Sequence, residues 1–390
     1  MYVLMLIASV FHTKARKWIH GRSNQQLPTI PKNKRVVWFH CASLGEFDQG
    51  LPVMNALKLA DPNVFLVVTF FSPSGMEFYN KRKHKVDLAV YLPLDTKQKA
   101  QQFIAQIHPE LVYFVKYEFW YNHLKAAKRA GAKIYGVSSL FRPSHRFFKW
   151  YGGFFRRALA LFDHFYTQDI RSAQLLASIG IDQSTVTGDT RFDRMIEVKN
   201  AGEENLGIAQ FAASEKVLLL GSSWLVDEQM ILPQLVEQFP TWKIIIAPHD
   251  ISTHHIAQIQ ALLPEEGLVY SQPIKHESRF LIIDTIGQLT TAYRYATVAY
   301  VGGGFTGKLH NILEPAAFGV PVIFGPKYDR FPEAQLFVER GAAISVSDSA
   351  SFFEALAYSE NHVAGISQKQ SRIFEENAGA VEKVLVSSFR

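Results

Sequence analysis

Cysteine is almost missing: Cys41 is the single one in 390 residues. One thiol forms no intramolecular disulfide and has no Cys-x-x-Cys partner, so a disulfide framework and a thiolate zinc site are both excluded, and a reducing cytoplasm is the natural compartment. Acidic residues are absent before Glu46, whereas Lys14, Arg16, Lys17, Arg22, Lys32, Lys34 and Arg35 all fall in that stretch. A membrane-crossing apolar run is lacking too. Tyr2 to Phe11 is apolar apart from Ser9, well short of the roughly 20 helical residues a bilayer requires. Its basic residues follow the apolar run, the reverse of a signal peptide. The sequence has no Gly-x-x-x-x-Gly-Lys-Ser/Thr loop, no convincing Gly-x-Gly-x-x-Gly after the first strand and no Gly-x-Ser-x-Gly elbow. Those absences disfavour P-loop kinases, ordinary dehydrogenases and α/β-hydrolases. Low-complexity segments and short repeats are also lacking.

What remains is a chain with 48% hydrophobic residues, long and apolar enough for two cores. Short β-branched runs alternate with longer amphipathic ones, the pattern of βαβ units and parallel sheets. Strands are expected at Arg35 to His40, Val64 to Phe70, Leu88 to Leu92, Leu111 to Val115, Lys133 to Val137 and His164 to Thr167, then again at Lys216 to Leu220, Trp242 to Ala247, Arg279 to Ile283, Thr297 to Val301 and Pro321 to Phe324. The domain reading is a membrane-associating segment 1–34, a Rossmann-like domain 35–197, a polar linker 198–212, a second Rossmann-like domain 213–360, and a helical tail 361–390 packing back on the first domain. For the basic N-terminal segment two readings stand: a helix lying on an anionic cytoplasmic leaflet, or an ordinary first helix packed on the core. Two such domains are expected to bind ligand in a shared cleft at the carboxyl ends of their strands.

Candidate chemistry sits in the loops after those strands. Glu46 follows the first strand and opens a helix, as an acid favoured by the helix dipole or as a general base for an acceptor hydroxyl. Glu118, flanked by Tyr117, Phe119 and Trp120, is a second carboxylate whose burial would raise its pKa, or else an acid beside a helix start. Phe141 to Arg157 interleaves aromatics with Arg142, Arg146, Lys149, Arg156 and Arg157. That mixture suits a phosphorylated, acyl-bearing acceptor or a single strand of nucleic acid, with part of it simply core. No nucleic-acid motif accompanies it, so nucleic acid is not an expected partner. In the second half, Ser222 and Ser223 precede a helix start suited to an anion. Gly302, Gly303 and Gly304 let backbone approach a phosphate. Asn311 and Glu314 read either as a capping box or as ribose and phosphate ligands. His249 and Asp250 with His254 and His255 lack further converging ligands, so no metal site is expected.

The motifs Ser43-Leu44-Gly45-Glu46, Glu118-Phe119-Trp120, Thr187 to Asp193, Ala247-Pro248-His249, Asp284 to Leu289 and His310-Asn311-Ile312-Leu313-Glu314-Pro315, in that order, resemble one family along nearly the whole chain. It is the 3-deoxy-D-manno-octulosonic acid (Kdo) transferases, lipid A glycosyltransferases of Gram-negative bacteria with the GT-B fold. The resemblance implies an α/β architecture of two Rossmann-like parallel-sheet domains facing an interdomain cleft. It implies inverting transfer of Kdo from CMP-Kdo to a lipid A precursor (lipid IVA) in lipopolysaccharide biosynthesis, at the cytoplasmic face of the inner membrane, with no metal and no cofactor beyond the donor substrate. By that resemblance Glu46 is the base, Glu118 and Arg191 support the transition state, and Pro248, His249, Ile286, Gly287, Gln288, Asn311, Ile312, Leu313 and Glu314 hold CMP. Four positions depart from the usual pattern: Arg191 stands where Lys is usual, Asp189 where Asn is, His249 where Arg is common, and Arg330 where Asn is expected. The competing readings are a GT-B transferase with another nucleotide sugar and a non-catalytic membrane-surface glycolipid-binding protein.

Overall fold

The computed structural model describes residues 12–23, 25–31, 33–81, 84–273 and 277–388. The apolar run Tyr2 to Phe11 lies outside them. Among the described residues no helix is long and apolar enough to cross a membrane. The chain divides into two compact units, one reaching Arg194 and taking in Asn377 onward, the other Met195–Glu376.

The first unit is a seven-stranded sheet in the order β3-β2-β1-β4-β5-β6-β7. Its strands are β1 (Arg35–Cys41), β2 (Val64–Phe70), β3 (Leu88–Tyr91), β4 (Leu111–Val115), β5 (Lys133–Ser139), β6 (His164–Thr167) and β7 (Ser184–Val186). Every pairing in it is parallel. Parallel sheets are covered on both faces, which explains the unbroken apolar runs. In β1 the alternation is visible: Val36 and Trp38 enter one core, while Val37, Phe39 and Cys41 enter the other.

The second unit repeats the design, in the order β10-β11-β9-β8-β12-β13-β14. Its strands are β8 (Val217–Ser223), β9 (Lys243–Pro248), β10 (Leu268–Val269), β11 (Phe280–Ile282), β12 (Val298–Val301), β13 (Val322–Phe324) and β14 (Ala343–Ser345). Leu218 and Leu220 face one core, Val217 and Leu219 the other. In each sheet the first strand is flanked on both sides, β1 by β2 and β4, β8 by β9 and β12. The order of connection reverses there, the position at which open α/β sheets bind ligands.

Three strands escaped the sequence reading, β7, β10 and β14. Each is two or three residues long and lies at a sheet edge, where a strand needs no continuous apolar run. The expected linker 198–212 needs correction. The units divide inside the helix Thr190–Asn200, and Leu206–Ala212 is a helix of the second unit, started by the Asn205 side chain accepting from Ile208 N. Ile208, Phe211 and Ala212 bury its inner face, a spacing too short to stand out within a polar stretch. The tail also splits. The helix Val363–Asn377 stays with the second unit as far as Glu376, and there the Gln370 amide donates to Val320 O and Ala342 O. Ala380–Ser388 belongs to the first, with Val384 in its core.

The helix Thr13–Ser23 packs on the first unit. Trp18 is 2% exposed and meets Phe71 edge-on at 5.5 Å. The Arg22 guanidinium lies 4.0 Å from the Trp18 ring and donates to Phe71 O at 2.7 Å and Leu92 O at 3.0 Å. Trp18→Ala is expected to lower the unfolding free energy of the first unit by about 3 kcal/mol through loss of a large buried ring, measured by denaturant titration.

Candidate active site

Glu46 lies in the first turn of the helix Leu44–Ala60, directly after β1. Gly45 has open space where a Cβ would sit, so no tight turn depends on it. The Glu46 side chain is buried, and its Oε2 accepts a short hydrogen bond from Ala42 N. Burial first, then repulsion by Glu118, push its pKa up to about 7, against the opposing pull of the Ala42 N–H and the Lys116 ammonium. A carboxylate poised there is half-ionised at neutral pH, matched to proton abstraction.

Glu118 follows β4, the neighbour of β1. Burial raises its pKa, and its Oε2 is buried with no hydrogen-bond partner among the described residues. The loop that carries it is fixed by a buried polar chain. Trp120 Nε1–H donates to His40 Nε2 at 3.0 Å. An indole only donates, so neutral His40 carries its proton on Nδ1 and passes it to Thr69 Oγ1 at 2.9 Å. Thr69 Oγ1 also accepts from Trp38 Nε1 at 2.9 Å. Burial holds His40 down at about 3, so it stays neutral and acts as a strut.

Arg191 is brought in from beyond the edge strand β7. Its Nε–H donates to Asp189 Oδ2 at 2.8 Å, and the guanidinium reaches the same oxygen at 2.6 Å. Burial pushes Asp189 up most strongly, but the Arg191 charge and its hydrogen bonds, with Lys116, together outweigh it and leave the carboxyl below its ordinary value. Gln49 Nε2 donates to Asp189 Oδ1 at 3.4 Å, while Thr190 Oγ1 donates to Gln49 O at 2.6 Å. The Arg191 loop is thereby tied to the helix that carries Glu46. Lys116 and Asp189 complete this charged group, and neither was singled out as a site residue from sequence. Lys116 adopts φ 65°, a left-handed conformation uncommon outside glycine, at the end of β4. That is a backbone property no side-chain pattern announces.

In the second unit the candidate donor residues follow four adjacent strands: Ser222 and Ser223 end β8, Pro248 and His249 end β9, Ile286 to Gln288 follow β11, and Gly303 to Glu314 follow β12. The glycines also allow a close approach within the protein. A Cβ on Gly302 would stand 2.2 Å from Ser222 O, one on Gly303 2.2 Å from Lys308 O, and one on Gly304 2.5 Å from Gly325 N. They permit backbone to pack on backbone. Gly303 N–H is also engaged, donating to Asp227 Oδ2 at 3.3 Å. Buried Asp227 further accepts from Trp224 N at 2.9 Å and Tyr300 OH at 2.7 Å, tying β8 to β12.

Trp224, given no role from sequence, stands beside these residues. His249 stacks on it at 4.6 Å with planes 10° apart, and His310 lies 4.7 Å from His249. Trp224 Nε1–H donates to His310 Nε2 at 3.3 Å. Neutral His310 therefore bears its proton on Nδ1, and burial, reinforced by His249, lowers its pKa to about 4. Asn311 does not cap the following helix, which starts at Leu313. Its Oδ1 accepts from Leu313 N at 3.2 Å in a local turn, and its Nδ2 donates to Glu314 Oε1 at 3.2 Å. Glu314 Oε2 accepts from Thr290 Oγ1 at 2.7 Å, joining this loop to the one after β11. There Gln288 accepts from Asn205 Nδ2 at 2.8 Å, and Gly287 has φ 102°. His255 turns away to Glu228, 3.0 Å off, so the histidines of this region go to separate tasks.

Residues 16–194 match the protein family described as 3-Deoxy-D-manno-octulosonic-acid transferase (kdotransferase). A 3-deoxy-D-manno-octulosonic acid transferase of Chlamydophila psittaci is 29% identical over 331 residues, spanning 80% of this chain and 76% of its own. Among solved structures, a putative UDP-N-acetylglucosamine 2-epimerase from Listeria monocytogenes superposes with a TM-score of 0.61 at 14% identity, over 90% of this chain and 95% of that one. The calicheamicin glycosyltransferase CalG4 does so with a TM-score of 0.58 at 14% identity, over 92% and 99%. At such identities the two structures share the fold alone. With its two parallel seven-stranded sheets the chain has the GT-B architecture, and it is similar along most of its length to 3-deoxy-D-manno-octulosonic acid transferases, whose family model its first unit matches.

Proposed function

We propose that this glycosyltransferase acts in lipopolysaccharide biosynthesis, moving Kdo from CMP-Kdo to a lipid A precursor, lipid IVA, with inversion at the anomeric carbon. The observation that carries the reading is Glu46, a buried carboxylate raised to about 7 beside a second carboxylate at the end of the central strand. Its carboxylate takes the proton of an acceptor hydroxyl as that oxygen bonds to the anomeric carbon; the carbon–oxygen bond to CMP breaks, and CMP leaves with the bonding pair. One displacement inverts the centre. Glu118 and Arg191 support the developing charge, Arg191 oriented by Asp189. In the second unit Ser222, Ser223, Pro248, His249, Ile286 to Gln288, Gly304 and Asn311 to Glu314 hold the cytidylate, with Gly303 shaping their loop. To these we add Trp224 as a stacking wall and His310 Nδ1–H as a neutral donor. Fixed donors at a departing phosphate perform the task a metal ion performs elsewhere. A lipid-borne acceptor places the reaction at the cytoplasmic face of the inner membrane.

Glu46→Gln is expected to cut turnover about a thousandfold, within the range general-base catalysis spans, while CMP binding measured by calorimetry stays near wild type; unchanged turnover would overturn the role of the base. The pH dependence has a definite sign. Glu46 must be ionised to act, so kcat/KM rises with pH up to about 7 and then levels. The same carboxyl binds its proton more tightly folded than unfolded, so its contribution to stability is greatest below the ordinary carboxyl value and is lost as pH rises through about 7. Glu46→Gln therefore stabilises the fold at pH 8, by on the order of 3 kcal/mol for a shift of this size, and has little effect at pH 4; unfolding titrations at both values measure this.

Gly304→Ala forces the neighbouring backbone apart, so CMP affinity is expected to fall at least about tenfold, as for a disturbance of the binding loop of about 1.4 kcal/mol or more, with the first unit's unfolding unchanged. Treatment with a chelator followed by gel filtration is expected to leave the transfer rate unaltered.

A further inference from the structure

Asp193 closes the motif Thr187 to Asp193 and has no part in the transfer chemistry above. It lies in the first turn of the helix Thr190–Asn200, two residues after Arg191. Two residues span about 200° of helix, so the two side chains leave opposite faces. Arg191 turns to Asp189. The Asp193 carboxylate meets the carboxyl-terminal end of the chain, where its Oδ1 accepts from Gly379 N at 2.9 Å. Burial pushes its pKa up, and the Gly379, Ala380 and Val381 amides at the start of the helix Ala380–Ser388 pull it back. A carboxylate at unfilled helix-start amides is a cap, here supplied from far away in the sequence.

Two further contacts join the same loop to that end. Lys383 Nζ donates to Thr187 O at 3.5 Å. Gly188 adopts φ 98°, and a Cβ there would stand 3.4 Å from Asn377 O and 3.9 Å from Ala380 Cβ. The terminal helix is itself anchored. Ala380 and Val384 are fully buried, and Val384 shares a core with Phe47, Leu51 and Met54 of the helix that carries Glu46. The chain leaves the first unit after Arg194 and returns to it at Asn377, so the Arg191 loop is the last stretch before the exit and takes its footing from the segment that comes back. We infer that Asp193 is a positioning residue for the transfer reaction: by gripping the start of the terminal helix it sets the place of the Arg191 guanidinium against the helix that carries Glu46. The inference rests on the role given to Arg191 above. A cap that served the terminal helix alone needs no contact at Thr187 and no glycine at 188. Held at Thr187, Gly188 and Asp193 on one side, and through Asp189 and Thr190 to Gln49 on the other, the loop leaves Arg191 little freedom of its own.

Two measurements on the full chain test this. The first needs no substrate: the nitrogen–proton NMR signal of the Arg191 Nε–H group, assigned by its disappearance in Arg191→Gln. Asp193→Ala is expected to shift and broaden that signal, and Asp193→Asn, whose side-chain oxygen still accepts from Gly379 N, to restore it. The second is transfer. Asp193→Ala is expected to lower kcat about tenfold or more, as a small displacement of a catalytic group does, with KM for the donor and CMP affinity by calorimetry unchanged. In an Arg191→Gln background the same substitution is expected to cost less than about twofold, because a residue that acts through another adds nothing once that other is gone. Should Asp193→Ala fail to fold, Gly379→Ala takes its place with the same pattern expected, since it strains a φ of 86° and displaces the donated amide. An unmoved Arg191 signal in Asp193→Ala overturns the inference. So do losses in kcat that multiply in the double variant, the mark of a cap that only holds the fold. If Arg191→Gln is as active as wild type while the signal still moves, it is the role of Arg191 that falls, and the inference with it.

Discussion

Covering both faces of a parallel sheet leaves polar chemistry one place to sit, the rim where strands end and helices begin. Both units obey this constraint. β1 and β8 are apolar along most of their buried length, and polar groups gather where they end: Glu46 after one, Ser222 and Ser223 at the last residues of the other. The main polar intrusion into the first core, the chain Trp38, Thr69, His40 and Trp120, is satisfied by hydrogen bonds along its length and leads straight to the Glu118 loop. A buried polar group with complete partners stiffens its surroundings and is costly to disturb.

The same physics separates two kinds of buried acid. Asp227 accepts from Trp224 N, Tyr300 OH and Gly303 N, and Glu228 from Ser223 Oγ with His255 beside it. Both Asp227 oxygens hold strand ends together, whereas Glu228 Oε2 has only the His255 ring beside it and no hydrogen bond. Glu46 accepts from Ala42 N and faces another carboxylate, and Glu118 keeps an oxygen with no hydrogen bond. Burial raises all four.

Much of this was legible in the residues. Long central strands such as β2 and β4 were placed to the residue because burial on two faces demands an unbroken apolar run. The edge strands β7, β10 and β14 were not, since little apolar surface is asked of them. Leu206–Ala212 was hidden because a seven-residue helix with three buried positions is too short for a period to emerge from its polar surroundings. The glycine run 302–304 was noticed for close approach, and the structure adds neighbours the sequence did not name: Ser222 O, Lys308 O and Gly325 N.

The amino-acid order by itself determined the two-sheet architecture, the alternation that buries each strand, and the loops that carry Glu46, Glu118 and the residues after β8, β9, β11 and β12, because these follow from local period and from the rule that ligand loops follow strands. Tertiary structure alone decided that Asp189 binds Arg191, that Trp224 stacks on His249 and fixes the proton of His310, that Lys116 is held left-handed between charged neighbours, and that Trp150 stands in water while Trp18 and Trp38 do not. Those outcomes depend on contacts between residues far apart in the chain and on the burial that such contacts create, and side-chain charge, tautomer and exposure are properties of surroundings, not of sequence position.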